Sequence, residues 1–277
     1  TLKSASQTLT LTCNDGVGVT GTYIGTSTTP TWTTVTSATS VTASTTVSSA
    51  GTYYAYCKDA AGNTSTVTSK VMYSYVVNNV LENITGASAT YTSANYTSAS
   101  SATYIAPANT TITLASVYTV PTGAASSTFK GYSTGFSTTA VTPSTTAPTL
   151  TANSTYYMWF QRSRYTITVV STVGGTNKVT LTSNTSGVTA SAGGSTTISA
   201  KYGDSATATA TAASGYTFSG FSGKTTSTTS PATVSITSAG TITASFGDTT
   251  APTSTLTTTS TLKSASQTLT LTCNDGV

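Results

Sequence analysis

Histidine is absent from the 277 residues. Without imidazole there is no serine–histidine pair, no imidazole base and no zinc site of the usual ligand set. Acids are scarce as well: the chain has six, and one of them, Asp275, repeats Asp15. A paired-carboxylate hydrolase needs two acids in one cleft. Acids spread this thinly argue against an enzyme. Charged residues make up only 6%, and the net charge of +4 is carried by scattered single cations. No basic patch and no interleaving of basic with aromatic residues is present, so nucleic acid is not an expected partner. No apolar run approaches the roughly eighteen residues of a membrane-spanning helix. Proline, at 7, is too rare for a mucin-like stalk.

Threonine and serine fill what is left, at about 42% of the chain. Such a composition fits a disordered O-glycosylated stalk. It fits all-β structure equally well, because threonine is β-branched and suits a pleated, half-solvated face. The presence of 16 Tyr, 6 Phe and 2 Trp favours a packed chain. So does the alternation of apolar residues with threonine over many short runs.

The first seventeen residues, TLKSASQTLTLTCNDGV, return unchanged at 261–277, a period of 260 (261 − 1). A perfect repeat means an array of units along one chain. A period this long holds a group of small domains. The two ends of the sequence are expected to be cut points in a longer chain. Of the three cysteines, Cys273 repeats Cys13, so one period carries two, Cys13 and Cys57. An even pair points to one disulfide per period and an oxidising compartment; two buried thiols are the alternative.

In residues 1–75, Leu9, Leu11 and Cys13 alternate with Thr8, Thr10 and Thr12. Trp32 sits in PTWTTV, a candidate third strand. Tyr53, Ala55 and Cys57 share one face of GTYYAYC. Cysteine, tryptophan, cysteine in that order is the pattern of an immunoglobulin sandwich. The turn DAAGN at 59–63 closes the last pair, with Gly62 suited to a left-handed position. This stretch resembles the bacterial immunoglobulin-like domains of surface proteins, whose closing strands read much like AGTYYAYCKDAAGNTS. Ala55 stands where those domains carry a tyrosine-corner residue. They open with a segment like DTTAP, which occurs here at 248–252. The resemblance implies that 251–260 encode a first strand and that 248–277 open the next sandwich. The sandwich at 1–75 then lacks that strand.

Residues 76–163 end in STFKGYSTG and APTLTANSTYYMWF. These resemble the internalin-type B-repeat through Phe129, Gly131, Tyr132, Leu150, Asn153, Thr155, Tyr157 and Trp159. That family implies a small β-grasp-like sheet used as a spacer. Residues 164–247 resemble the divergent B-repeat of bacterial surface proteins. Tyr202, Gly203, Gly215, Tyr216, Phe218, Gly220, Phe221 and Phe246 carry that match. The whole reads as all-β, with room for a little helix in the β-grasp-like units. It is an immunoglobulin-like sandwich followed by two small β-grasp-like or β-sheet domains, in an extended tandem array.

Two sites are candidates. Asp15 and Asp59 each follow a cysteine by two residues, at sandwich loops that share one end. With Asn14 and Asn63 they are expected to converge. The aspartate of the opening segment is Asp248, next to Asp275 in the second copy. Three carboxylates with carbonyls could supply the six to eight oxygens of a Ca²⁺ site. The alternative is a pair of ordinary turns in which each aspartate bonds its own backbone. The other candidate is a binding surface built on Tyr91, Tyr96 and Tyr104, against half-buried strand tyrosines. Strands of seven to ten residues make domains roughly 30–40 Å long, so three give on the order of 100–120 Å per period. The expected role is a structural repeat of a long extracellular stalk, fibre or adhesin on a prokaryotic cell surface. Its partners would be neighbouring repeats and possible identical chains. A module binding a glycan or host protein is the second reading.

Overall fold

The computed structural model describes residues 4–92, 96–98, 103–113, 126–138, 143–259 and 266–276. The chain is all-β: every regular element among the described residues is a strand. It divides into two compact units, Thr1–Asn83 with Ala89–Gln161, and Ile84–Ser88 with Arg162–Val277.

The first unit is built on β1 (Gln7–Gly25), β2 (Thr33–Val47), β3 (Gly51–Asp59), β4 (Thr68–Leu81), β5 (Tyr96–Ser98), β6 (Tyr104–Pro107), β7 (Ser127–Ser133) and β8 (Ser154–Arg162). In β1 the apolar residues alternate with threonine up to Asn14, where the ladder breaks until Val19. The bulge bends the strand, so one element serves two layers. Its first part pairs with β2, Leu11 opposite Ala43. Its second part pairs with β3, Thr22 opposite Cys57.

The third strand expected around Trp32 is therefore the second half of β1. Trp32 stands just ahead of β2, half-exposed, with the Lys58 ammonium 5.2 Å from its ring centroid. Gly21 makes the room, since a Cβ there would lie 3.3 Å from both side chains. The indole thus covers the Lys58 face of β3, opposite to the face that carries Cys57. It gains a cation–π contact there in place of packing on the disulfide.

β4 joins everything else in this unit. Met72 pairs with both Gly51 and Pro107, and Tyr75 with both Tyr104 and Ser154. A strand residue has one partner on each edge. So β3 and then β8 line one edge of β4, while β6 and β5 line the other. Only β8 runs parallel to it. The border placed at 75/76 from sequence falls inside this strand. Its first half completes the disulfide-bearing layers, and its second half is the floor of an aromatic core.

That core explains β8. Tyr156, Met158 and Phe160 face Tyr75, Val77, Ile112 and Leu150. Tyr157 and Trp159 face the other way, toward Val80, Tyr91 and Phe136. A strand buried on both faces reads as a continuous apolar run, which is what YYMWF is. The glycine between Phe129 and Tyr132, inside β7, has a steric reason. Gly131 holds φ +127° while Tyr132 bridges to Ser144, and a Cβ at 131 would stand 2.4 Å from the Ser144 carbonyl oxygen. Asn153 accepts a hydrogen bond from the Ser74 amide at 2.9 Å, tying the start of β8 to β4.

The second unit continues with β9 (Arg164–Ser171), β10 (Gly175–Leu181), β11 (Asn184–Ala190), β12 (Ser195–Lys201), β13 (Ser205–Ala212), β14 (Tyr216–Gly223), β15 (Ala232–Ser235) and β16 (Gly240–Asp248). These form two four-stranded sheets, β11-β10-β13-β15 and β12-β9-β16-β14. Their core holds Ile167, Val169, Val179, Leu181, Ala206, Ala208, Phe221 and Ile242. In ATATA the alanines point in and the threonines out. The methyl of alanine lets two sheets approach where a larger residue would not fit. Asn177 is fully buried on β10, and its Nδ2 donates to the carbonyls of Val170 (2.9 Å) and Ile242 (3.0 Å) in the facing sheet. A further pair, β17 (Thr253–Thr259) and β18 (Thr268–Asn274), forms a separate two-stranded ribbon.

Asn177→Leu removes the donor shared by both carbonyls. Denaturant titration of the chain should show the second unit destabilised by about 1–3 kcal/mol.

Candidate functional site

Cys13 and Cys57 are bonded, with Cα atoms 5.8 Å apart and a sequence separation of 44. The bond links the first half of β1 to the end of β3. Cys273, the repeat of Cys13, is a free and exposed thiol.

Immediately beyond the disulfide, Asn14, Asp15, Asp59 and Asn63 line one shallow cavity of about 200 Å³ with Lys58, Thr64 and Ser65. Both aspartates thus border the same cavity. Each carboxylate is engaged in its own turn. Asp15 Oδ2 accepts from the amides of Val17 (3.2 Å) and Gly18 (2.8 Å). Gly18 permits this with φ +132°, and a Cβ there would lie 2.2 Å from the Ser37 hydroxyl. Asp59 accepts from the Asn63 amide and from Asn63 Nδ2, both at 2.7 Å. The Asn63 side-chain hydrogen bond, helped by the turn amides, holds the Asp59 carboxyl below its ordinary value of 3.8.

Asp248 lies in the second unit, where its Oδ1 accepts from the Thr250 amide at 2.7 Å. Asp275 lies one residue beyond β18. Among the described residues no three acidic or thiol side chains gather around one point. Two carboxylates and two amides offer at most six oxygens, the lower limit for Ca²⁺, and three of these already accept hydrogen bonds within their own turns. An ion held there would keep much of its water and would also face Lys58.

The tyrosines are placed differently from the expected surface. Tyr91 is 6% exposed and stands edge-on to Trp159 at 4.9 Å. Tyr104 is 8% exposed and packs on Tyr75 at 5.4 Å. Both are core residues, because β4 and β8 bring their aromatic faces over them. The side chain of Tyr96 lies outside the described residues.

One buried polar centre was not singled out from sequence. Asp204 is 0% exposed. Its carboxylate accepts from the Ser183 amide (2.8 Å), the Ser183 hydroxyl and the Lys201 amide (2.7 Å). The Lys201 ammonium is buried too and donates to the Ser88 carbonyl at 3.2 Å. Tyr202 and Gly203 stood out in the letters; the burial of Asp204 depends on the loop at Ser183, 21 residues away. The donor set is closed around the carboxylate and serves the fold.

No family model matches the chain, and no curated protein matches it. Among solved structures, the Bacillus anthracis TIE protein aligns with 87% of this chain and 51% of its own, at 8% identity and a TM-score of 0.27. The chain spans about half the length of that protein. A likeness of this size shows neither a shared function nor a shared fold.

Three outcomes are expected. Alkylation without reductant should modify Cys273 alone, and three thiols should appear after reduction. Replacing Cys13 and Cys57 by serine should cost roughly 4 kcal/mol, the chain-entropy value for a loop of this length. Calorimetric titration of Ca²⁺ should give no saturating heat below millimolar concentration; tight binding would mean that both aspartate turns open to take the ion.

Proposed function

We propose that this chain is a structural repeat unit of a long extracellular stalk, fibre or adhesin on a prokaryotic cell surface. The observation that carries the reading is the unchanged return of residues 1–17 at 261–277. An unchanged repeat in a chain of β-units is what a spacer needs: length by addition of like parts. The disulfide supports an oxidising compartment. Among the described residues no helix is long and apolar enough to cross a membrane. The outward threonine faces are hydrated and carry almost no charge, so they attract neither anions nor cations strongly.

A glycan- or protein-binding module within an adhesin is the weaker reading. Its two describable candidates, Tyr91 and Tyr104, are buried.

Small-angle scattering of the 277-residue chain tests the proposal. A compact globule of this length has a radius of gyration of about 19 Å. A linear arrangement of the β-units should exceed 30 Å, on the order of a rod 100–120 Å long. A value near that of the globule would sink the stalk reading.

A further inference from the structure

The two copies of one heptapeptide sit in different surroundings. TLTLTCN at 268–274 is β18, and it pairs with β17, TSTLTTT. The register sets Ser254 opposite Cys273, Leu256 opposite Leu271 and Thr258 opposite Leu269. The same letters at 8–14 form the first part of β1 and pair with β2 on one edge. Among the described residues no strand pairs with the other edge of 8–14.

Beside that part of β1 is a groove of about 380 Å³. Leu9, Leu11, Ile24, Tyr53, Ala55 and Pro107 supply its apolar lining, and 68–70 of β4 form its far side. The layers around it are incompletely covered. Leu9, Leu11, Ile24 and every residue of β3 are only half-buried. An open strand edge beside an apolar slot is a template for β-augmentation.

The geometry points to one occupant: the strand Thr253–Thr259 of a second copy of this chain, laid antiparallel on residues 8–14 with Leu256 opposite Leu11. This deepens the repeat-array reading and rests on it. Three observations select this strand over others. The receiving sequence is identical, letter for letter, to the one that β17 already pairs with. The inherited register puts Leu256, Leu11 and Leu9 on one face, toward the groove. Finally, β17 has apolar surface to bury. In the ribbon Leu256 is 62% exposed, as are Leu269 at 61% and Leu271 at 62%. Moving β17 to the groove keeps an equivalent ladder and removes Leu256 from water. The edge and the strand lie on different parts of the chain, so the contact is heterologous and adds copies head to tail.

A synthetic peptide of residues 251–260, added to the full chain, tests this. The background is Cys273→Ser with Thr10→Cys, which places a thiol on the solvent face of β1. In the inherited register Thr257 lies opposite Thr10, as it lies opposite Thr270 in the ribbon. Directly opposed Cβ atoms stand about 5 Å apart. Peptide carrying Thr257→Cys should form a disulfide with the chain at least ten times faster than peptide carrying Thr253→Cys, and the unmodified peptide should raise the melting temperature. Peptide with Leu256→Asp should do neither. Equal cross-linking by the two cysteine peptides, with no change in melting temperature, would overturn the inference. An elongated chain by scattering together with a silent peptide would remove the strand exchange and leave the stalk reading standing.

Discussion

Everything in this molecule depends on a period of two. A strand shows one face to the core and one to water, and here the water face is almost always threonine or serine. The inward set is apolar and rarely charged. Leu9-Leu11-Cys13, Ala206-Ala208 and Tyr156-Met158-Phe160 are three versions of the same pattern. A one-residue slip would turn each set into water, so the alternation also sets register. The near absence of charge follows, because threonine provides hydration without ion pairs.

The inward faces are unequal in what they bury. The two sheets of the second unit enclose a core of fully buried aliphatic residues. Around β8 an aromatic core occupies both faces of the strand. The layers nearest the N-terminus are poorer: Val47, Met72 and Ile105 are buried, and Leu9 and Tyr53 only partly. A disulfide spanning 44 residues is placed in that weakest part. Restricting the unfolded chain there compensates for apolar area that the folded state does not bury. The same deficit leaves the groove and the open edge of β1.

The acidic side chains described in these layers are used by the fold. The carboxylates of Asp15, Asp59 and Asp248 close their own turns, and the buried Asp204 is saturated by backbone and hydroxyl donors. Polar groups used in this way hold loops in place. The described surface leaves open a strand edge, at 8–14 of β1, and the groove beside it.

Much of this was legible in the letters. Alternation alone determined that the chain is all-β, and the exact return of seventeen residues determined the repeat. Counting cysteines within one period paired Cys13 with Cys57, and their spacing from Asp15 and Asp59 brought the two aspartates to one pole. Gly62 marked a turn, and Gly131 marks a kink inside β7, because only glycine tolerates φ +91° and +127° cheaply. Tertiary structure alone decided the rest. Whether Tyr91 and Tyr104 faced water could not be read locally, because their covers, Trp159 and Tyr75, come from strands far along the chain. Trp32 was displaced from the core by a bulge that turned β1 into two strands, and a bulge leaves little trace in composition. The 14 residues of β4 span two layers because parallel pairing with β8 needs a partner about eighty residues later. Period-two patterns specify which face is buried; only the assembled sheets specify what it is buried against.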